Sequence, residues 1–409
     1  MTIEIRTLGN DAEAFARLSA IDALAFGGDS TGPNANTSDA GVIELDRSVL
    51  AHDGDKVVGC ASIFSLDLSV PGGAVPTAGV TWVGVHPLDR RRGIMTALMR
   101  DLHDTVREQH REPLLALWAS QGSIYQRLGY GVASHSYKAT IPHRLKLRHA
   151  PDADLDVELV PSTEDRAASL RVDTVMRSYR PGIPALNDAW HVRTIADPVE
   201  DRDGASSLRT YIVSDKSGPL AYARFRLKHE WSNGYGDGTV DVRTLASNDP
   251  RATAVLWRTL LGTELMSRTR WWNLPVDDPL FSWLDEARQI ELWHGDQLYI
   301  RIGEIGEALA RRAYAVDIDL VIDVTDDFHP WNAGRWRLSG DPSGATCERT
   351  VDAADLSVDV QVLGATFLGG TSWGSLAAAG QVEELTPGAL LRAHAAFGWP
   401  SAPWCPYVF

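Results

Sequence analysis

The chain has 409 residues, of which 44% are hydrophobic and 23% charged. At about 150 residues per domain that length predicts two to three domains, and the composition excludes wholesale disorder. The 39 basic residues against 54 acidic ones give a net charge of −15, which argues against a nucleic-acid partner, because phosphates demand a basic face; such a charge serves solubility and would also concentrate a cationic small molecule at the surface.

From residue 1 to about 147, strand and helix patterns alternate. Ile3 to Arg6 reads as a short strand, and Ala14 to Ala25 as a helix with apolar residues at helical spacing. Val42 to Ala51 and Lys56 to Leu66 read as two strands joined by the turn residues Asp53, Gly54 and Asp55. Val80 to Val85 is an apolar strand, Ile94 to Gln109 an amphipathic helix, Leu114 to Trp118 a strand and Ile124 to Leu128 a short helix. The segment 148–297 repeats this order more weakly. Its helices are Ala167 to Tyr179 and Thr253 to Arg268, and its strands Arg209 to Val213, Leu220 to Lys228 and Gly238 to Leu245. Val242 to Arg251 parallels Val83 to Arg90, with Pro and Arg again preceding a helix, which hints at a duplication. The segment 298–409 changes character. Ala315 to Val324, Arg335 to Leu338 and Leu356 to Leu363 look like strands, Leu368 to Ala379 and Gly388 to Ala396 like helices, and a compact α+β domain fits.

No apolar run approaches the roughly 20 residues of a membrane helix, and the N-terminus shows no basic flank or apolar stretch of a secretory signal. Cys60, Cys347 and Cys405 are too few and too scattered for a disulfide framework or a cysteine metal site. The expectation is a cytoplasmic protein with no metal and no membrane partner.

The sharpest local feature is Thr81 to Arg100, TWVGVHPLDRRRGIMTALMR, in which a strand ends at Val85, arginines and a glycine follow, and a helix begins. A helix N-terminus presents unpaired N–H groups and a partial positive charge, which suits a pyrophosphate. Gly93 permits close backbone approach, and Arg91 and Arg92 add charge. The bland alternative is a basic turn capping an ordinary helix.

Here the sequence resembles the GCN5-related N-acetyltransferases, whose acetyl-CoA loop reads Arg/Gln-x-x-Gly-x-Gly/Ala. Arg90-x-x-Gly93 fits, and Met95 replaces the last small residue. Val83 to Met99 looks like one subfamily, the mycobacterial enhanced-intracellular-survival (Eis) acetyltransferases. Three further blocks resemble it in the same order: Trp118 to Gly131, Val324 to Leu338 and Leu363 to Gly380. The resemblance implies an α+β architecture of two tandem mixed α/β acetyltransferase domains, 1–147 and 148–297, followed by a sterol-carrier-like domain, 298–409. It implies acetyl-CoA as cosubstrate, with Val83, Gly84 and Val85 bonding the pantetheine arm, Arg90 and the run Arg91, Arg92, Gly93, Ile94, Met95 and Thr96 at the pyrophosphate, and Ser120 and Gln121 beside it. Position 121 carries Gln where an acidic residue is expected in close relatives. Tyr125 matches the family's general acid, and the α-carboxylate of Phe409 its general base. It also implies a homohexamer with a large open pocket for a cationic amine, aminoglycosides ahead of polyamines and lysine side chains.

The chemistry can be set beside that resemblance. A tyrosine hydroxyl near the sulfur stabilises or protonates the leaving thiolate. The strand Ala78 to Val85 holds no carboxylate, so another group must take the amine proton; His86 competes with the terminus for that role. The tail Pro403 to Phe409 has three aromatic residues and no charged side chain, so burial is expected, with the terminus delivered into the first domain. With no cysteine near the loop in sequence, direct attack in a ternary complex is expected. The second domain's matching loop, Asn248 to Thr253, has no glycine, so no acetyl-CoA is expected there. Asp326, Asp327, Asn332, Gly369 and Gly370 of the third domain suit turns and caps, and no lipid cargo is expected. Two rivals stand beside this reading: a different acyl-CoA, and a non-enzymatic lipid-binding protein.

Overall fold

In the computed structural model, residues 3–9, 13–28 and 39–409 are described. The first strands are β1 (Ile3–Thr7), β2 (Ser48–Asp53), β3 (Lys56–Val70), β4 (Gly73–Val85), β5 (Leu114–Trp118) and β6 (Gly131–Val132). Then come β7 (His135–Pro142), β8 (Asp156–Pro161), β9 (Arg209–Asp215), β10 (Gly218–Lys228), the small hairpin β11 (Trp231–Ser232) and β12 (Tyr235–Gly236), β13 (Gly238–Ser247), β14 (Met266–Pro275), β15 (Glu291–Asp296) and β16 (Leu298–Ile302). The helices that matter for the site are α1 (Ala14–Phe26), α2 (Ile94–Gln109), α3 (Gly122–Gln126), α4 (Arg166–Arg177), α5 (Asp188–Thr194) and α6 (Pro250–Leu261).

Two seven-stranded sheets follow one plan. The first runs β1-β2-β3-β4-β5-β16-β6, the second β8-β9-β10-β13-β14-β7-β15. A parallel pair sits at the same place in each, β4 with β5 and β13 with β14. The sheets exchange a strand. β7 follows β6 in the chain yet joins the second sheet, and β16 follows β15 yet fills the slot between β5 and β6 of the first. Every residue of β16 is buried, so the slot is filled by a wholly interior strand. The linear division at residues 147 and 297 therefore does not separate the two sheets. A cut at either place would strip a central strand from one of them.

The third unit is a five-stranded sheet made from Ile318–Thr325, Gly334–Asp341, Gly344–Arg349, Leu356–Asp359 and Val382–Glu384, with helices packed on it. Its helix Val360–Thr366 lies directly on β6 and β16. A Cβ added at Gly131 would fall 2.2 Å from Gln361 O, and one at Gly364 would fall 2.2 Å from Ile300 O. Only glycine allows that approach. The loop before Gly334 docks against α2. Asp326 pairs with Arg301 of β16 at 2.7 Å, both side chains almost fully buried. His329 meets His103 of α2 at 2.9 Å, and His103 in turn meets the Tyr130 hydroxyl at 2.9 Å. Burial drives both imidazoles well below their ordinary pKa, so they stay neutral. Asp326 and Asn332 thus join two units rather than serve a surface turn alone.

Several sequence expectations are corrected. Residues 42–47 form turns and a short 3₁₀ segment, and the strand starts only at Ser48. The helix expected over Thr253 to Arg268 is Pro250–Leu261, and the central strand β14 begins at Met266. Trp271, buried, and Trp272, exposed, lie on opposite faces of that strand. Leu356 to Leu363 is a four-residue strand that turns into a helix at Val360, capped by the Asp359 side chain on Gln361 N at 2.9 Å. The helix expected over Leu368 to Ala379 is Trp373–Ala378 alone. Gly131→Val should push two backbones apart and destabilise the protein by about 3 kcal/mol; a thermal melt unchanged from wild type would refute this contact.

Candidate active site

β4 and β5 pair for only three residues, Thr77 to Gly79 against Leu114 to Ala116. Beyond Gly79 they diverge. The cause lies in β4, where the register against β3 slips between Cys60 and Ser62. Trp82 takes φ 51°, unusual for any residue but glycine, and the strand bulges. Cys60 Sγ donates to Trp82 O at 3.1 Å and braces the bulge from beneath. Cys60, distant from the loop in sequence, thus stands beneath the strand that walls the site. Cys60 is fully buried, and burial pushes its thiol far above the ordinary range, so it is no nucleophile.

Past the bulge, β4, α2, α3 and the end of α1 enclose a cavity of about 730 Å³. Every cofactor residue expected from the sequence lines it except Arg92. Arg91 takes φ 64° and Gly93 φ 79°, so two left-handed residues wrap the chain around the N-terminus of α2. The first N–H groups of α2 have no side-chain cap and face this space. Arg90 is tied to the end of α1 through a 2.7 Å bond to Ala25 O. Arg92 points elsewhere, to Asp89 at 2.5 Å and Asp53 at 2.7 Å. Lys56, at 2.7 Å, and Arg92 hold the Asp89 carboxyl below its usual range. The Arg92 side chain therefore braces the loop rather than lining the cavity. His86 belongs to the same loop: its Nδ1 accepts from Leu88 N at 3.3 Å, and it lines neither cavity.

A smaller cavity of about 230 Å³ adjoins the first, with Phe26, Val83, Ser120 and Tyr125 in both walls. Asp22, Trp82, Trp118, Arg193, Val408 and Phe409 line it too, with Val80 and Thr81 of β4. Tyr125 is only 7% exposed, and burial pushes its hydroxyl up to about 12. Burial, and secondarily the charge of Asp39, raises Asp22 to about 6. The C-terminal segment enters from the second domain. Trp118 Nε1 donates to Tyr407 O at 3.1 Å, and Arg193 of α5 donates to Val408 O at 2.7 Å while pairing with Asp39. Phe409 is 6% exposed and its ring lies over Gly79. Tyr125 and the terminal residue, 284 positions apart in the 409-residue sequence, thus share one cavity wall.

Residues 4–133 and 185–302 match acetyltransferase (GNAT) domain families, and residues 305–406 match the sterol carrier protein domain family. An uncharacterized N-acetyltransferase of Streptomyces avermitilis is 41% identical over 94% of this chain and 95% of its own length. The N-acetyltransferase Eis of Mycobacterium tuberculosis is 31% identical over 90% of this chain and 91% of its own. The chain belongs to the Eis-like N-acetyltransferase family. The crystal structure of Eis1 from Mycobacterium abscessus, 29% identical, covers the whole of both chains with a TM-score of 0.83.

Membership in this family makes the protein an acetyltransferase with acetyl-CoA as cosubstrate, not a non-enzymatic lipid carrier. The residues present fit that cosubstrate. Diverging strands leave backbone groups free for an extended arm, an uncapped helix end at the cavity would suit an anion, and Arg91 and Arg127 stand at the cavity without an ion-pair partner among the described residues. The sequence reading missed Arg127, Asp22, Trp118 and Arg193. Arg127 had a signal, a basic residue two positions after Tyr125. Arg193 had none, since only the folded chain carries α5 to the first sheet. In the second sheet the corresponding helix end, at α6, is closed by its own acid: Asp249 accepts from Arg251 N at 2.7 Å and from its guanidinium at 2.6 Å. Arg91→Glu should raise the KM for acetyl-CoA about tenfold or more, and Arg92→Gln should leave it within about twofold; thiol-release kinetics in which both substitutions act alike would contradict this division of labour.

Proposed function

We propose that the protein acetylates a primary amine of a multiply cationic small molecule, aminoglycosides ahead of polyamines and lysine side chains, by direct attack in a ternary complex. The observation that carries this reading is the shared wall: Tyr125 lies between the cofactor cavity and the smaller cavity that Asp22 and Phe409 line. The smaller cavity has aromatic faces, Phe26, Trp82 and Trp118, beside carboxylates, a combination that attracts an ammonium group.

The amine must lose a proton as it attacks the thioester carbonyl, and the thiol must leave as a stabilised thiolate. A thiol comparable to cysteine titrates near 8.5, so Tyr125 at about 12 stays protonated throughout the neutral range and is available as donor to the sulfur. Full proton transfer from it is uphill by roughly 3.5 units, about 5 kcal/mol, so its main contribution is the hydrogen bond to developing negative charge. On the amine side, the Phe409 carboxylate takes the proton through a water, and Asp22 holds a neighbouring ammonium of the same substrate. A second reading makes Asp22 the base. With Asp22 near 6 and an alkyl ammonium near 10, that transfer is uphill by about 4 units, less than to an ordinary carboxylate. Exposed Trp231, Tyr235 and Trp293 on the second domain support the expected homohexamer, as apolar surface for another copy. A cytoplasmic location remains the reading that suits the three free, buried cysteines.

The deciding experiment is thiol release from acetyl-CoA against aminoglycosides, polyamines and lysine peptides, repeated with propionyl-CoA to define the acyl group. Absence of release with every cationic amine would overturn the proposal. Tyr125→Phe should lower kcat by about 10²-fold while sparing acetyl-CoA binding. Deleting Phe409 should abolish most turnover if the terminus is the base, and little if Asp22 is. Because Asp22 is ionised only above about 6, kcat/KM for the amine should fall additionally as the pH drops through that value. Asp22→Asn should remove that limb of the pH profile.

A further inference from the structure

The second sheet repeats the acid of the acceptor cavity. α1 carries Ile21-Asp22-Ala23-Leu24, and α4, the helix in the same place on the second sheet, carries Val172-Asp173-Thr174-Val175. Asp22 faces the acceptor cavity of the first domain. Asp173 instead holds the C-terminal segment: its Oδ2 accepts from the Tyr407 hydroxyl at 2.6 Å and its Oδ1 from the Tyr222 hydroxyl at 2.9 Å. The two phenolic oxygens are 3.0 Å apart, and both tyrosines are buried. Just upstream, Cys405 O accepts from Asn273 Nδ2 at 3.0 Å, and Asn273 lies on β14 beyond its last pairing with β13 at Trp271. The tail therefore runs through the second domain at the place where the first domain exposes its diverging strands.

We propose that Asp173 and Tyr222 are positioning residues that grip Tyr407 and thereby set the Phe409 carboxylate in the acceptor cavity. The second domain, whose helix end is closed to an anion by Asp249, then contributes to the reaction through the tail. This rests on the reading in which Phe409 takes the amine proton. Two residues span at most about 7 Å, so a fixed Tyr407 ring leaves the terminus little range. Of the last three residues, Tyr407 is the one whose side chain hydrogen-bonds, and Val408 is half exposed. The other hydrogen bonds from side chains, those of Trp118, Cys405 and Arg193, reach only backbone oxygens. A half-buried carboxylate bonded by two hydroxyls has a directional hold that packing of the ring alone lacks.

The test is a double-mutant cycle between Tyr407→Phe and deletion of Phe409. Tyr407→Phe keeps the ring and removes the hydroxyl. It should lower kcat about tenfold, leave the KM for acetyl-CoA within about twofold, and speed amide exchange at Val408 and Phe409. In the chain lacking Phe409, the same substitution should change the residual kcat less than about twofold, because the α-carboxylate then sits on Val408, one residue short of the place that the Tyr407 anchor sets for it. Asp173→Asn should give the same pattern, with a thermal melt confirming that both variants are folded. Wild-type kcat in Tyr407→Phe, or a loss that persists in full after the deletion, would overturn the proposal while leaving the base assignment standing. Wild-type turnover after deletion of Phe409 would overturn the base assignment and this proposal with it.

Discussion

The structure depends on one buried junction where three pieces of chain cross. Ser134 joins β6 to β7, and Gln297 joins β15 to β16, so both stand where a strand leaves one sheet for the other. Ser134 Oγ donates to Gln297 Oε1 at 2.7 Å, and Gln297 Nε2 donates to Asn273 Oδ1 at 2.6 Å. The same amide closes on the tail, giving a bond to Cys405 O at 2.9 Å and accepting one from Cys405 N at 3.0 Å. These side chains are essentially inaccessible to water. Removing one partner would strand the others at about 1–3 kcal/mol each, so the crossover and the tail are held or lost together. Strand exchange, domain docking and delivery of the C-terminus thus share a few hydrogen bonds.

From that junction the tail passes between Tyr222 and Trp118 into the first domain, where one hydrophobic cluster includes Phe409 together with Phe64, Ile300 and residues of the third unit. The third unit contributes by packing. Its helix Val360–Thr366 closes on β6 and β16, and its loop at His329 meets α2, whose N-terminus faces the larger cavity. All three units therefore fix the placement of one helix end and one carboxyl terminus. The duplicated sheets have diverged in use. In one the uncapped helix end faces a cavity, and in the other Asp249 occupies it.

Much of the first sheet was legible because its signals are local. The run from Val83 to Thr96 contains the strand end, the left-handed Gly93 and the amphipathic helix within one window, and Tyr125 sits in a short segment marked by glycines. Arg92 shows the limit of such reading. Its neighbours in sequence suggest an anion site, but Asp53, 39 residues away, claims its guanidinium. The strand β14 was misread because Met266 to Pro275 mixes tryptophan and arginine without a clean alternation, and its partners β7 and β13 lie far away in the chain.

The sequence by itself pointed to the kind of chemistry through its resemblance to a family, carried by Arg90 to Gly93 and three further blocks, and that loop was legible because it is built from consecutive residues whose backbone preferences are local. It also determined that the tail is buried, because seven residues with three aromatics and no charged side chain, Pro403 to Phe409, have no reason to stay in water. Only the tertiary structure decided which strands share a sheet, which arginine faces the cavity, and that Asp22 and Phe409 line the same small cavity. Those outcomes rest on non-local pairing, from the 39 residues between Arg92 and Asp53 to the strand β16, whose partner β5 lies more than a hundred residues away, and such pairing leaves no periodic trace in the chain.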